Sequence, residues 1–155
     1  MKSIFFYGSP VGEIGIAEEN GVISHVFFGR AQTPGGFETG ETPVIRTAME
    51  QLTEYFDGKR KSFDLSLAFH GTDFQISVWK ALLSIPSGET RSYKDVAVSI
   101  GKPKAYRAVG FANNRNPIVI IVPCHRVIGH NGSLTGYGGG LPVKQYLLDL
   151  EKRYI

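Results

Sequence analysis

Along the first third of the chain, apolar residues fall in short alternating runs: Ile4 to Tyr7, Ile14 to Ala17 and Val22 to Phe28. Successive strand side chains leave opposite faces, so a period of two in β-branched and aromatic residues predicts half-buried strands. The gap before the third run ends in Asn20-Gly21, which tolerates the positive φ of a tight turn, and three antiparallel strands are expected. His25 lies within the third and reads as a residue on a sheet face. Arg30 to Gly40, with Pro34, Gly35 and Gly36, reads as an exposed loop. The period then changes. Thr42 and Pro43 supply an N-cap and a first-turn proline, Ile45, Ala48, Leu52 and Phe56 follow at helical spacing, and Gly58 closes the element. Phe63, Leu65, Leu67 and Phe69 alternate once more, which predicts a strand or an extended linker.

Helical spacing dominates the second half. Phe74, Val78, Ala81, Leu82 and Ile85 form one face ended by Pro86-Ser87-Gly88, with Trp79 as packing. Ser92-Tyr93-Lys94-Asp95 fits a capping box for a helix that stops at Gly101, and Pro103 starts another running through Ala112. Two short helices across a glycine-containing turn are the pattern of a helix-turn-helix. On the second, Lys104 and Arg107 lie three apart and share a face, while Ala108 and Val109 pack inward. Spacing does not choose between solvated surface and DNA contact for these charges. Ile118 to Val122 is short, apolar and β-branched, so it predicts a buried extended segment. The last helix starts near Pro142, with Val143, Tyr146, Leu147 and Leu150 as its apolar face and Glu151 at the edge of that stripe. The expected class is α+β: residues 1–70 a small sheet domain with a helix, residues 71–155 a helical domain.

Composition narrows this picture in a few places. At 155 residues, 42% hydrophobic and 20% charged, the chain has the make-up of a globular protein with a core. A net charge of +3 permits an anionic partner without demanding one. A single cysteine excludes an intrachain disulfide and a Cys-rich zinc site, and a free thiol suits a reducing compartment. Neither a secretory signal nor a membrane span is read, so the expected location is the cytoplasm.

That one cysteine, Cys124, ends the apolar run just after Pro123, which cannot continue a ladder. His125 and Arg126 follow, placing a base and a fixed positive charge close to a thiol whose nucleophilic form is the thiolate. A free cysteine is also a common buried hydrophobe, and its position alone leaves both readings open. A Cys-His hydrolase would use the same pair, but it needs an oxyanion hole and an orienting Asn or Asp that the sequence does not place. Gly136-Tyr137-Gly138-Gly139-Gly140 lacks the lysine and hydroxyl of a phosphate-binding loop, and better fits a wall where backbone approaches a planar ligand. Glu151, by position alone, is either surface or site.

Pro123-Cys124-His125-Arg126-Val127 resembles the signature of the O6-alkylguanine-DNA alkyltransferases. Arg107-Ala108-Val109-Gly110 with Asn116-Pro117 is similar to that family's recognition helix and asparagine hinge, and Leu147-Leu148-x-x-Glu151 to its final helix. The likeness runs from about Gly71 to Glu151, while the first half agrees only in its pattern of strands and helix. It implies a winged helix-turn-helix that grips double-stranded DNA carrying O6-alkylguanine and rotates the damaged base out of the stack. Arg107 would fill the space left behind, with Lys104, Ser92 and Arg126 as further DNA contacts. Cys124 would attack the alkyl carbon, His125 would take its proton, Glu151 would stabilise the imidazolium, Tyr93 would donate to the departing base, and Asn116 would be the hinge. Val127, Tyr137, Gly138 and Gly139 would line the pocket, with the carbonyls of Cys124 and Val127 reading the exocyclic amine. Gly138 stands where the family has serine or alanine, which leaves only a backbone N–H there. The thioether is a poor leaving group, so transfer would occur once per molecule, without metal or cofactor and as a monomer. A non-catalytic binder of alkylated DNA is the alternative, but such proteins replace the cysteine that this chain keeps.

Overall fold

The computed structural model describes residues 1–154 and divides into two compact units, the second beginning at His70. In the first unit, β1 (Lys2–Tyr7), β2 (Ile14–Glu19) and β3 (Val22–Phe28) form an antiparallel meander. Asn20 and Gly21 take φ of 51° and 91° in the turn between β2 and β3, the positive values that their side chains permit. Residues 30–40 are not wholly loop. Glu38–Thr39 forms β4, parallel to β1, giving the order β3-β2-β1-β4. Two residues that complete an open sheet edge carry no periodic signal of their own, so composition alone hid them. Helix α1 (Pro43–Phe56) is capped by Thr42 and buries Ile45, Ala48 and Leu52. Gly15 is required where it stands, because a Cβ there would lie 2.4 Å from the Phe27 ring. Leu67 makes a single parallel bridge to Ile23, so the segment before His70 is extended rather than a full strand.

The second unit is built from α2 (Asp73–Leu82), β5 (Arg91–Ser92), α3 (Tyr93–Ser99), α4 (Tyr106–Asn114), β6 (Val127–Ile128) and α5 (Leu141–Arg153). Capping boxes open α2 at Thr72/Gln75 and α3 at Ser92/Asp95. Trp79 is a packing residue, buried in α2 with its indole N–H donating to the Ala112 carbonyl of α4 at 2.9 Å. Three expectations are corrected. Helix α4 starts at Tyr106 rather than Pro103, because Ala105 N–H bonds the Lys102 carbonyl and Pro103 sits inside that turn. Consequently Lys104 precedes the helix and does not share a helical face with Arg107. Val109 and Ala112 face inward, while Ala108 is exposed.

The third correction concerns Ile118 to Val122, which is buried but coiled. Val122 N–H bonds back to the Ile118 carbonyl, Ile121 N–H bonds to Val119, and Ile120 takes φ 69°. Asn116 closes the coil from inside, accepting from Ile118 N–H and donating to the Val122 carbonyl at 2.7 Å. An apolar run of this length satisfies a strand or a buried turn equally, and the asparagine amide decides for the turn.

Candidate active site

The coil delivers Cys124 to the first position of a short 3-10 turn, Cys124–Arg126, that leads directly into β6. Parallel pairing of Arg91 with Val127 and Ser92 with Ile128 brings the start of α3, and therefore Tyr93, beside the strand that leaves this turn. Helix α5 closes the arrangement from the other end of the sequence. Its residues Lys144, Leu147, Leu148 and Glu151 are all buried, the spacing of a single helix face.

At the centre, Glu151 holds the side chains of His125 and Arg126, and its Oε1 also accepts from Gly88 N–H at 3.4 Å. Its Oε2 lies 2.6 Å from His125 Nε2 and accepts from Arg126 Nη2 at 2.9 Å, while Oε1 accepts from Arg126 Nε at 2.8 Å. Arg126 Nη1 donates to the Ile85 carbonyl at 2.6 Å. Arg126 is therefore not a DNA contact. It is 6% exposed and its guanidinium is engaged inside the unit, forming a bidentate pair that fixes the carboxylate. Burial alone would raise the Glu151 carboxyl, but hydrogen bonds and charge from His125 and Arg126 outweigh it and hold the group well below the carboxylate range. The His125 ring is fully buried, and burial lowers its pKa despite Glu151. Its Nδ1 has no protein partner among the described residues, so a neutral ring bonded through Nε2–H keeps a basic nitrogen.

Cys124 is 3% exposed, and burial pushes its thiol up to about 11, against the opposing pull of the Asn116 amide and the Lys144 ammonium. A thiol in that state is protonated at neutral pH, so a nucleophilic thiolate needs a base to receive its proton. Asn116, expected as a hinge, clamps the coil that carries Cys124. The sequence reading missed Lys144. It is fully buried, its Nζ donates to the carbonyls of Val127 at 2.7 Å and Thr135 at 2.8 Å, and burial brings it down to about 8. The signal was present, since Lys144 lies three, four and seven residues before Leu147, Leu148 and Glu151. Taking Val143 and Tyr146 for the apolar face concealed it, and Tyr146 is exposed.

Tyr93 lines an open cavity of about 860 Å³ together with Ser92, Tyr106, Asn131, Ser133 and Thr135. Cys124 does not line it. Ser92 serves as the cap of α3, accepting from Asp95 N–H at 3.0 Å. Lys104 and Arg107 are exposed, and so is Phe111, one helical turn after Arg107 on α4. In the glycine loop, Gly140 N–H bonds the Tyr137 carbonyl, making a turn of Tyr137 to Gly140, and a Cβ on Gly138 would meet no atom within 4 Å. Nothing in the packing of the unit demands glycine at 138. Among the described residues no cluster of His, Cys, Asp and Glu could hold a metal ion, and no helix is long and apolar enough to cross a membrane.

The chain matches two family models, the 6-O-methylguanine DNA methyltransferase DNA binding domain over residues 73–153 and the ribonuclease-like domain of the same family over residues 5–69. A methylated-DNA–protein-cysteine methyltransferase of Methanosarcina barkeri is 56% identical over 148 residues, which is 93% of each chain. The constitutive one of Bacillus subtilis is 49% identical over 93% of this chain and 92% of its own. The crystal structure of Mycobacterium tuberculosis OGT in complex with DNA superposes with a TM-score of 0.93 at 47% identity, covering 98% of this chain and 94% of the other.

Proposed function

Because the chain belongs to the 6-O-methylguanine DNA methyltransferase family, we propose that Cys124 is the residue that accepts the alkyl group. The protein is a DNA-binding methyltransferase of DNA repair that transfers a methyl group from DNA to a cysteine of its own, and the chain offers one cysteine. The observation that carries the assignment is the 2.6 Å bond between His125 and Glu151, which orients an imidazole, kept neutral by its burial, next in sequence to a buried thiol. His125 Nδ1 receives the thiol proton, directly or through a water, and Glu151 favours the imidazolium so formed. The thiolate then attacks the alkyl carbon. A new S–C bond forms, the C–O6 bond breaks, and the electron pair leaves with guanine, which takes a proton from Tyr93.

A thiol so deeply buried does not meet a base that is stacked in a duplex, so O6-alkylguanine must be rotated out to reach it. Helices α3 and α4 act as the helix-turn-helix in this reading, with Arg107, Lys104 and the Ser92 end of α3 facing the DNA. The turn from Tyr137 to Gly140 forms one wall of the pocket. The carbonyls of Cys124 and Val127 read the exocyclic amine in this reading, each with acceptor capacity left beside an internal partner: Cys124 already accepts from Val127 N–H and from Asn113 Nδ2 at 3.4 Å, and Val127 from Lys144. The protein works in the cytoplasm as a monomer and without a cofactor.

Intact-mass measurement after incubation with a duplex carrying O6-methylguanine tests the assignment. The expected result is a gain of one methyl group per protein, mapped to Cys124, that plateaus at about one equivalent because the thioether does not turn over. Recovery of unmodified protein after repeated turnover, or a methyl group on any other residue, overturns it.

A further inference from the structure

The side chain of Tyr93 is held from two directions. Its ring lies beside Gly110 of α4, where a Cβ would stand 3.7 Å from Cδ1. Its hydroxyl lies 2.5 Å from Oγ1 of Thr135. Thr135 belongs to the irregular loop between β6 and α5, which has no ladder to fix it. The loop is fixed there by the buried Lys144 ammonium, which joins the Thr135 and Val127 carbonyls. Burying an ammonium is costly unless its donors are satisfied, so the two carbonyls and the lysine hold one another in register. The Thr135 hydroxyl is thereby tied to the strand that leaves the Cys124–Arg126 turn, and it shares the 860 Å³ cavity with Tyr93.

Two hydroxyls at this distance share one hydrogen bond, and either can donate. If Tyr93 donates to Thr135, its proton points away from a substrate. When an acceptor arrives in the cavity, rotation about one bond lets Thr135 donate instead, freeing the tyrosine proton. We propose that Thr135 is a positioning residue for Tyr93, its hydroxyl donating to the phenolic oxygen so that the Tyr93 proton is directed at the departing guanine. This rests on the reading of Tyr93 as the proton donor. As the C–O6 bond breaks, the guanine anion takes the Tyr93 proton and the electron pair of the O–H bond stays on the phenolic oxygen. Thr135 O–H stabilises that phenolate until it regains a proton, equal in number to the one Cys124 gave up. A donor aimed at an oxygen where negative charge develops acts in the transition state rather than on ligand binding.

The test is a double-mutant cycle on the full-length protein, reading the single-turnover rate with O6-benzylguanine at saturation. Thr135→Val keeps the shape and removes the hydroxyl, Thr135→Ser keeps the hydroxyl, and Thr135→Ala serves if the valine variant does not fold. Thr135→Val should slow transfer by about ten- to a hundredfold, as loss of a hydrogen bond to a developing charge implies, and Thr135→Ser should restore most of it. In a Tyr93→Phe background, Thr135→Val should cost nothing further. The less basic leaving group of O6-benzyl-8-bromoguanine should recover part of the loss, which a packing defect would not allow. Equal losses in both backgrounds overturn the proposal and make Thr135 a loop-packing residue. A normal Thr135→Val beside a slow Tyr93→Phe overturns it alone, whereas an unimpaired Tyr93→Phe overturns the proton-donor reading along with it.

Discussion

At the scale of single residues, the proposed function separates a base, His125, from a charge anchor, Arg126. Glu151 bonds both His125 and Arg126 inside the unit, so its replacement cannot report on catalysis alone. Glu151→Gln leaves the Arg126 guanidinium buried beside a neutral amide, and breaking such a pair destabilises by roughly 3–5 kcal/mol. Urea denaturation should show a loss of that size, and a loss under 1 kcal/mol would mean Arg126 finds water or another partner. His125→Gln is the cleaner probe of the base, because a glutamine can still donate to Glu151. With the imidazole gone, thiolate arises only by direct ionisation of a thiol whose pKa is about 11. Its rate with O6-benzylguanine should fall on the order of a hundredfold at pH 7, then climb about tenfold per pH unit up to pH 10. Wild type should rise less steeply, and parallel profiles would remove His125 as the base.

At the scale of elements, α4 carries Arg107, the residue that the proposed function assigns to DNA rather than to chemistry. Arg107 is exposed on its first turn, remote in role from the buried groups around Cys124. Arg107→Ala should lower the rate on duplex O6-methylguanine by about tenfold or more, as expected when unstacking costs a few kcal/mol, yet leave the rate with free O6-benzylguanine unchanged. Equal losses on both substrates would make Arg107 part of the pocket or the fold. Much of this architecture was legible in the sequence, because strands β1 to β3, α1, α2 and the capped start of α3 announce themselves through period, turn and cap residues, while the Thr72 cap of α2 emerges only in the fold. What escaped carries no periodic signal, whether its partner is near or far along the chain. The Asn116 amide sits just before the run that it closes into a coil, yet spacing does not say which backbone groups it will take, and β4 exists only because β1 offers an edge. The family likeness implied a DNA contact for Arg126. Its real partner lies on α5, at Glu151, while Lys144 was hidden by the habit of placing lysine in water.

At the scale of the whole molecule, the buried Cys124 and Lys144 make folding stability depend on pH in opposite directions. Lys144 titrates at about 8 when folded, against 10.5 for the free side chain. Between those values the unfolded chain binds more protons, so stability rises with pH by roughly 3 kcal/mol from this group, and its cost is felt in full below pH 8. Cys124 titrates at about 11 when folded, against 9.0 when free. Its contribution is present below pH 9 and is lost as pH rises toward 11, again by roughly 3 kcal/mol. The unmodified protein should therefore gain stability from about pH 8, level off between 9 and 10.5 where the two slopes oppose, and decline beyond. Methylation of Cys124 removes one of them, since a thioether does not ionise. Groups remote from Cys124, such as Tyr7 with its raised pKa in the first unit, titrate alike in both forms and cancel in the comparison, whereas Lys144 loses the Cys124 charge that raises it. The measurement is urea unfolding of the free and methylated proteins at matched pH from 7 to 11. The difference between the two forms should be flat to about pH 9 and then swing by roughly 3 kcal/mol toward the methylated form. A constant offset across the range would mean that Cys124 keeps an ordinary thiol pKa in the folded protein, and that burial does not hold its proton.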